Sequence, residues 1–171
     1  MKKLIFITLV LLTYSFNSFG GSTYFIDFYK VLNNSKPGSQ AQNNLKEKFN
    51  SETKKYKKLE ENIRKKESEI IAQKKVLSPE EYQKKVQALR KKVANLQKDK
   101  KKSFNNITKS RNNAREVLLK AVNPIVQEYM EKNKIEIVLE RKGVVLGNSN
   151  LEITDQIISI LNKELPTLKL N

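Results

Sequence analysis

A mirrored heptad pattern around the tetrapeptide Ser78-Pro79-Glu80-Glu81 constrains the fold of this chain more than any other feature. On both sides of it, residues at alternating spacings of four and three form ten layers, and facing residues have numbers that sum to 159. We call these positions the seam: Leu45, Phe49, Glu52, Tyr56, Leu59, Ile63, Lys66, Ile70, Gln73 and Leu77 before the tetrapeptide, and Tyr82, Val86, Leu89, Val93, Leu96, Lys100, Ser103, Ile107, Ser110 and Ala114 after it. A repeat of about 3.5 residues is typical of a coiled coil, so the pattern predicts an antiparallel helical hairpin.

The tetrapeptide predicts how the two helices are joined. Ser78 suits the N-cap of the second helix, Pro79 suits its first position, and Glu81 completes a capping box. Because the residue before a proline avoids the α region, the first helix is expected to end near Leu77. The alternative is an ordinary buried helix pair. It is disfavoured because few apolar residues lie off the seam, namely Ile71, Val76, Phe104 and a few alanines.

The predicted hairpin carries the positive charge of the chain. Lys and Arg number 34 against 18 Asp and Glu, and only 38% of the 171 residues are apolar, which is too polar for a compact single-core globule. Residues 45–115 contain 23 basic and 9 acidic residues, a net charge of +14. Lys2 and Lys3 add two more charges, and the remainder of the chain is balanced.

The first 20 residues have the three parts of a secretory signal peptide. Lys2 and Lys3 are followed by an apolar run over residues 4–12 and by Ser18-Phe19-Gly20, a small-x-small cleavage site. We therefore expect cleavage after Gly20 and export of a soluble product. A membrane anchor is the weaker alternative, since the run is far shorter than the ~20 residues of a spanning helix.

The remaining segments predict a small body formed by residues 21–44 and 115–171, attached to an arm formed by residues 45–114. Residues 23–28 are rich in β-branched and aromatic side chains and indicate a strand. Residues 33–38 break the chain. Beyond Ala114 the apolar face of the second helix broadens, which indicates that the helix enters the body, and Asn133 is a plausible helix end.

The C-terminal segment predicts a β-hairpin and a last helix. In residues 135–139, Ile135, Ile137 and Leu139 alternate with Glu136 and Val138, and the apolar residues 144–146 follow Arg141-Lys142-Gly143, as in a β-hairpin. Thr154 is expected to cap a helix that Pro166 stops. The expected fold class is thus α+β: a coiled-coil tentacle projecting from a small β-rich oligomerisation body with a C-terminal helix. Three short strands leave open edges and a thin core, so association is expected.

Catalytic and metal-binding patterns are missing from the sequence. There is no Cys and no His, and the five glycines form no phosphate loop, so we expect neither an enzyme nor a cofactor or metal. Asp27 is the most conspicuous acid because it lies in an apolar strand, but a structural role at the strand end explains it better than catalysis does.

Basic residues along the hairpin are the candidate contacts for a partner: Lys65, Lys66, Lys74, Lys75, Lys84, Lys85, Arg90, Lys91 and Lys92. Such runs are often only a solvated helix face. Nucleic acid is the usual partner of a basic cytosolic protein, and export argues against it. Anionic lipid or lipopolysaccharide surfaces and acidic polypeptides remain, and contact with them and plain solubility are weighted about equally.

The chain resembles the Skp (OmpH-like) family of periplasmic chaperones over essentially its whole mature length. The resemblance rests on the opening residues 24–32, the basic hairpin that turns at residues 77–81, the segments 138–140 and 144–146, and above all Leu151-Glu152-Ile153-Thr154-Asp155. It implies a homotrimer whose helical hairpins project around a cavity. It also implies ATP-independent holding of unfolded outer-membrane proteins.

Three seam layers hold a charge, at Glu52, Lys66 and Lys100, and we expect the arm to flex at them. As a hypothesis, clients are captured in the cavity by many weak contacts, with the basic arms adding attraction for acidic clients. Two alternatives remain open. One is an exported coiled-coil spacer or adaptor, and the other is an envelope polyanion binder that holds no clients.

Overall fold

The structure is a computed structural model that describes residues 22–168. The predicted signal peptide and its cleavage site lie outside these residues. In chain order the elements are β1 (Ser22–Ile26), α1 (Phe28–Asn34), α2 (Lys36–Ala72), a 3₁₀ turn (Gln73–Lys75), α3 (Pro79–Asn133), β2 (Ile135–Glu140), two further 3₁₀ turns (Arg141–Gly143 and Ser149–Leu151) and α4 (Thr154–Glu164).

Helices α2 and α3 form the predicted antiparallel hairpin, which dominates the molecule. The 37 residues of α2 span about 56 Å at about 1.5 Å per residue. At the turn, the backbone N–H of Glu81 donates to Ser78 Oγ (3.3 Å), and the N–H of Ser78 donates to the Glu81 carboxylate (3.2 Å). Pro79 lies at the start of α3, where its missing N–H is not needed. The fold class is therefore confirmed: a helical hairpin on a small body with a C-terminal helix.

The sheet of the body differs from the prediction. The β-hairpin is wrong, because β2 pairs in parallel with β1, with Tyr24 opposite Val138 and Phe25 opposite Leu139. Residues 144–146 form no strand, so the sheet has two strands within residues 22–168 instead of three. A parallel pair needs a long crossover, and here the crossover includes the whole arm, which returns the chain beside β1. The 3₁₀ turn after β2 therefore does not lead into a returning strand.

Helix α1 was not predicted. Strand β1 ends at Ile26, two residues earlier than expected, because Asp27 begins a helix. The backbone N–H of Lys30 donates to Asp27 Oδ1 at 2.8 Å, a side-chain N-cap. Asp27 thus has a structural role, as expected, and that role is to cap the start of α1.

The core lies where the second half of α3 crosses α1, α4 and the sheet. Its buried members come from β1, α1, α3, and α4 with its N-cap residue: Ile26, Val31, Val122, Ile125, Val126, Ile153, Ile157 and Leu161. Val138 of β2 is half-buried and packs against them. The broadened apolar face of α3 thus enters the body as predicted. A second cluster at the root of the arm contains Ala41 of α2, Ala114 and Leu118 of α3, and Leu168 beyond α4. Leu168 therefore packs against both arm helices.

Thr154 does not cap α4, contrary to the prediction. The N-cap residue is Ile153, whose carbonyl accepts from the N–H of Ile157, and no side chain caps the helix start. The hydroxyl of Thr154 is fully buried, accepts from the backbone N–H of Asp27 (2.9 Å) and donates to Glu152 Oε1 (2.9 Å). It joins the end of β1 to the start of α4, a tertiary contact that outcompetes local capping.

Replacing Thr154 by valine is expected to lower the free energy of unfolding by about 1–3 kcal/mol, because the half-buried N–H of Asp27 loses its acceptor. Thr154→Ser keeps the hydroxyl and serves as the control, with a loss of about 1 kcal/mol from the missing methyl group. Urea denaturation followed by circular dichroism measures both. A Thr154→Val variant as stable as the wild type would show that the hydroxyl contributes no stability.

Candidate functional site

The arm is the largest surface that the chain offers, and the seam on α3 organises it. Every predicted seam residue of α3 is buried or half-buried, from Tyr82 at the tip to Ala114 at the root. The seam on α2 is less complete. Phe49 remains 47% exposed and Leu59 39% exposed, so the hairpin leaves apolar side chains accessible along one helix.

Phe104, which the prediction left off the seam, is half-buried and packs against two seam residues. Its ring lies 5.3 Å from the ring of Phe49 in an edge-to-face arrangement and 6.1 Å from that of Tyr56. The Ser103 hydroxyl donates to Glu52 (2.7 Å), which lies about one helical turn from Tyr56, the expected partner of Ser103. The heptad positions alone do not show these two contacts, because they depend on an aromatic side chain beside the seam and on the length of the Glu52 side chain.

Two of the predicted weak layers contain polar contacts across the hairpin. Lys100 Nζ lies 2.6 Å from Glu60 Oε1, next to the expected partner Leu59. Both side chains are about one-third exposed, so the pair is worth about 0–1 kcal/mol. Glu52 accepts a hydrogen bond from the Ser103 hydroxyl. Lys66 is exposed, and residues 22–168 offer it no ion-pair partner. Flexing of the arm at these three positions stays a prediction.

The pKa of Glu52 lies below its ordinary value of 4.5, chiefly because Ser103 donates a hydrogen bond to the carboxylate, with partial burial opposing and Lys55 adding to the effect. Because the pKa of Glu52 is lower in the folded state than in the unfolded state, the ionised Glu52 stabilises the fold at pH values above its pKa in the unfolded state. This stabilisation is lost as the pH falls through the pKa of Glu52 in the folded state. We expect the melting temperature to fall between about pH 5 and about pH 3, and to fall less in Ser103→Ala.

Ser110→Ala is the matched control, since Ser110 is a half-buried seam serine with no side-chain hydrogen bond among the described residues. Thermal melts across this pH range, followed by circular dichroism, decide the question. Identical pH profiles for Ser103→Ala and the wild type would show that the Ser103 contact is not what stabilises the ionised carboxylate.

The predicted basic contacts are all exposed, and they line the half of the arm nearer the tip: Lys65, Lys66, Lys74, Lys75, Lys84, Lys85, Arg90, Lys91 and Lys92. In the part of the chain that the structure describes, none of them forms an ion pair, and Lys85 donates to Gln73 Oε1 (2.6 Å). A cavity of about 460 Å³ at the tip brings Lys74 and Arg90 together with Tyr82. The other seven basic side chains are distributed over both helices, so they create a broad region of positive charge and do not form a single ligand site.

Apolar side chains are exposed both at the tip and on the body. At the tip, Ile71 is 60% exposed and Val76 is 81% exposed, while Leu77 and Tyr82 are half-buried. On the body, Val145 and Leu146 are 94% and 93% exposed, beside the half-exposed Ile137 and Leu139 of β2. Sequence reasoning missed the exposure of Val145 and Leu146 because it paired residues 144–146 with β2.

Residues 22–168 contain neither a candidate metal-binding cluster nor a candidate membrane-spanning helix. No cluster of three or more His, Cys, Asp or Glu side chains suited to a metal ion occurs between residues 22 and 168. Over the same residues, every helix is too short or too polar to cross a bilayer.

The comparisons with known proteins agree with this geometry. A family model described as "Outer membrane protein (OmpH-like)" matches residues 22–161, which is most of the chain. This chain belongs to the OmpH-like family. No protein of curated function matches it.

A solved structure shares the OmpH-like fold over almost the full length. It is the crystal structure of an OmpH-like protein from Caulobacter crescentus CB15 that was provisionally described as an outer membrane chaperone. The TM-score is 0.82 at 16% sequence identity, and the match covers 88% of this chain and 89% of the other. At this identity the likeness establishes the arrangement of arm and body in the OmpH-like fold.

Proposed function

We propose that this chain is an ATP-independent periplasmic holdase that binds unfolded outer-membrane proteins between helical arms and prevents their aggregation. The observation that carries the proposal is the arm itself. It is a helical hairpin that extends away from the body, with nine exposed basic side chains near its tip and with Phe49 and Leu59 only partly covered. Many weak contacts of both kinds suit an unfolded chain, which has no fixed shape to match.

Assembly is part of the proposal, because one arm cannot enclose a client. The exposed Val145 and Leu146, with the half-exposed Ile137 and Leu139 of β2, leave apolar side chains on the body that are suited to contact with a second copy. Strand β2 is also an edge strand of a two-stranded sheet, and such an edge is usually covered by association. We propose a homotrimer, the state that the family resemblance implies.

Location follows from the family and from the N-terminal sequence. Cleavage after Gly20 would release the chain into the periplasm, where nucleotide is not supplied. The proposed activity therefore uses no cofactor and no catalytic step. Division into an arm of residues 45–114 and a body of residues 21–44 and 115–171 belongs to the same proposal, as do hinge positions at Glu52, Lys66 and Lys100.

The test is suppression of aggregation. A denatured outer-membrane β-barrel protein is diluted from urea with and without the purified chain, in the absence of nucleotide, and light scattering is recorded. The expected result is suppression at a stoichiometric ratio. Unchanged scattering at an excess of the chain would reject holdase activity.

Salt separates the electrostatic contribution from the apolar one. Raising the ionic strength from about 0.05 M to about 0.5 M shortens the Debye length from about 14 Å to about 4 Å, so attraction by the exposed lysines is screened. We expect the affinity for a denatured barrel protein to fall several-fold and not to vanish. An affinity that is independent of salt would show that the basic arm serves solubility only.

The exposed tip favours a second candidate function, a spacer or adaptor that docks through Ile71 and Val76. An adaptor would bind a folded envelope component and would leave aggregation unchanged. A polyanion binder for lipopolysaccharide or anionic lipid is the third candidate. It would show saturable binding with a steep salt dependence, again without suppression of aggregation. The aggregation assay therefore separates the holdase from both alternatives, and saturable, steeply salt-dependent binding to lipopolysaccharide or anionic lipid separates the polyanion binder from the adaptor.

A further inference from the structure

A recess of about 530 Å³ lies at the root of the arm, where α1 meets the start of α2 and the middle of α3. Its floor is apolar and is formed by the buried Leu45, Ala114 and Leu118, with the half-buried Leu32 and Leu119 beside them. This volume falls within the range of ligand pockets, roughly 300–1,000 Å³, and suits one or two large side chains. It is separate from the tip and from the predicted basic contacts.

The rim of the recess is mostly cationic. Arg111, Arg115 and Lys142 line it against a single carboxylate, that of Glu140. All three cations are exposed, and in the ranges described none forms an ion pair or a side-chain hydrogen bond. Neighbouring cations of the body do have partners: Lys30 pairs with Asp155 (2.8 Å) and Arg141 with Glu152 (2.6 Å). Among residues 22–168, the charge at the rim is therefore uncompensated.

Arg111 and Arg115 stand four residues apart on α3, so both side chains lie on the same face of the helix. Two guanidinium groups at this spacing can bind one carboxylate or two adjacent ones, and the bonds they form are charge-assisted. The amide side chains of Asn33 and Gln42 line the opposite wall and hydrogen bond to each other (2.9 Å). Amides both donate and accept, as the backbone of an extended peptide requires.

We propose that this recess binds an extended acidic segment of a client polypeptide, with an apolar side chain on the floor and a neighbouring carboxylate against Arg111 and Arg115. The inference rests on the proposed holdase function and adds a preferred class of client segment to it. The arm attracts clients through a diffuse field, while the recess holds one short stretch, an aromatic or aliphatic residue beside Asp or Glu, near the body.

The first experiment measures fluorescence anisotropy of a fluorescein-labelled peptide, Gly-Ser-Asp-Phe-Glu-Leu-Asp-Ser-Gly, with the full assembled chain. Two relatives of the peptide accompany it: one with Ser in place of Phe and Leu, and one with Lys in place of the acids. We expect the parent peptide to bind and each relative to bind about tenfold more weakly or worse. A Ser peptide that binds as well as the parent would reduce the recess to a charged surface and overturn the proposal.

The second experiment uses the double variant Arg111→Glu/Arg115→Glu. Its matched control is Lys101→Glu/Lys102→Glu, which makes the same change of charge on exposed positions of the same helix, outside the recess. The expected result is a dissociation constant for the parent peptide about tenfold or more higher in the first variant and changed about twofold in the control. Equal weakening would show that only the field of the whole arm acts.

The peptide series and the aggregation assay, both carried out on the wild type, distinguish this proposal from the holdase proposal. If the wild type suppresses aggregation but does not discriminate among the three peptides, the recess proposal fails and the holdase proposal stands. If the wild type suppresses nothing, the holdase proposal fails. Light scattering of the Arg111→Glu/Arg115→Glu variant measures its oligomeric mass. A mass that differs from that of the wild type would show that the recess lies in a subunit interface, and this result would overturn the proposal that the recess binds clients. The peptide series on the wild type decides the matter if the variant does not fold.

Discussion

Replacing both Val145 and Leu146 by aspartate is expected to convert the proposed homotrimer into monomers whose helical hairpin is still formed. The two side chains are 94% and 93% exposed in the subunit, so they contribute almost nothing to its own core. If they are buried between subunits, their removal costs about 3–6 kcal/mol per subunit in apolar burial, and two charges are added to the interface. Light scattering gives the mass, and circular dichroism gives the helix content.

The tip provides a matched control for this variant. Ile71→Asp/Val76→Asp makes the same kind of change at exposed apolar positions of the arm. We expect it to keep the mass of the wild type, because the tip lies far from the body. The monomeric variant is also expected to lose suppression of aggregation, since a single arm encloses no cavity. A Val145/Leu146 variant with unchanged mass would show that subunits do not associate through residues 144–146.

Replacing Gly38 by alanine is expected to destabilise the body by about 1–3 kcal/mol, the usual cost of overpacking. Gly38 lies in the first turn of α2, where the chain passes close to α1. A methyl group there would overlap the carbonyl oxygen of Leu32 and would lie 2.8 Å from its carbonyl carbon and 2.9 Å from Ser35 Oγ. Backbone atoms cannot rotate away as side chains do, so α1 and α2 would have to separate. This cost exceeds the ~1 kcal/mol that alanine gains over glycine in a helix.

Gly143→Ala is the control, because no atom lies within 4 Å of a methyl group at that position. It is expected to change the free energy of unfolding by less than about 1 kcal/mol, with stabilisation possible through the unfolded state. Urea denaturation of both variants measures the difference. A Gly38 variant as stable as the Gly143 variant would show that the α1–α2 contact yields at little cost.

The arm is the part that local pattern predicted well, and its layers explain why. A seam residue is buried by its partner helix alone, so the spacing of apolar residues and the capping box at Ser78 contain most of the information. The exceptions are the packing of Phe104 against Phe49 and the hydrogen bond of Ser103 to Glu52, two contacts that the heptad positions do not contain.

The body was predicted less well because its contacts join distant parts of the chain. Residues 144–146 have strand-like composition, yet the partner of β2 is β1, more than a hundred residues away. Thr154 has the preferences of an N-cap, yet its hydroxyl accepts from Asp27. In both cases a local propensity of about 1 kcal/mol competes with burial and hydrogen bonding across the fold, and the tertiary contact prevails.

The sequence by itself determined the hairpin, its turn and its charge, because each depends on residues that are close in the chain or related by one regular repeat. The tertiary structure decided the parallel pairing of β1 with β2, the exposure of Val145 and Leu146 and the cationic recess at the root of the arm. Those features depend on how the long excursion of the arm returns to the body. Local sequence patterns do not predict how the chain returns to the body. The free energy that favours this arrangement comes from side chains that are distant in the sequence and come into contact only in the folded chain.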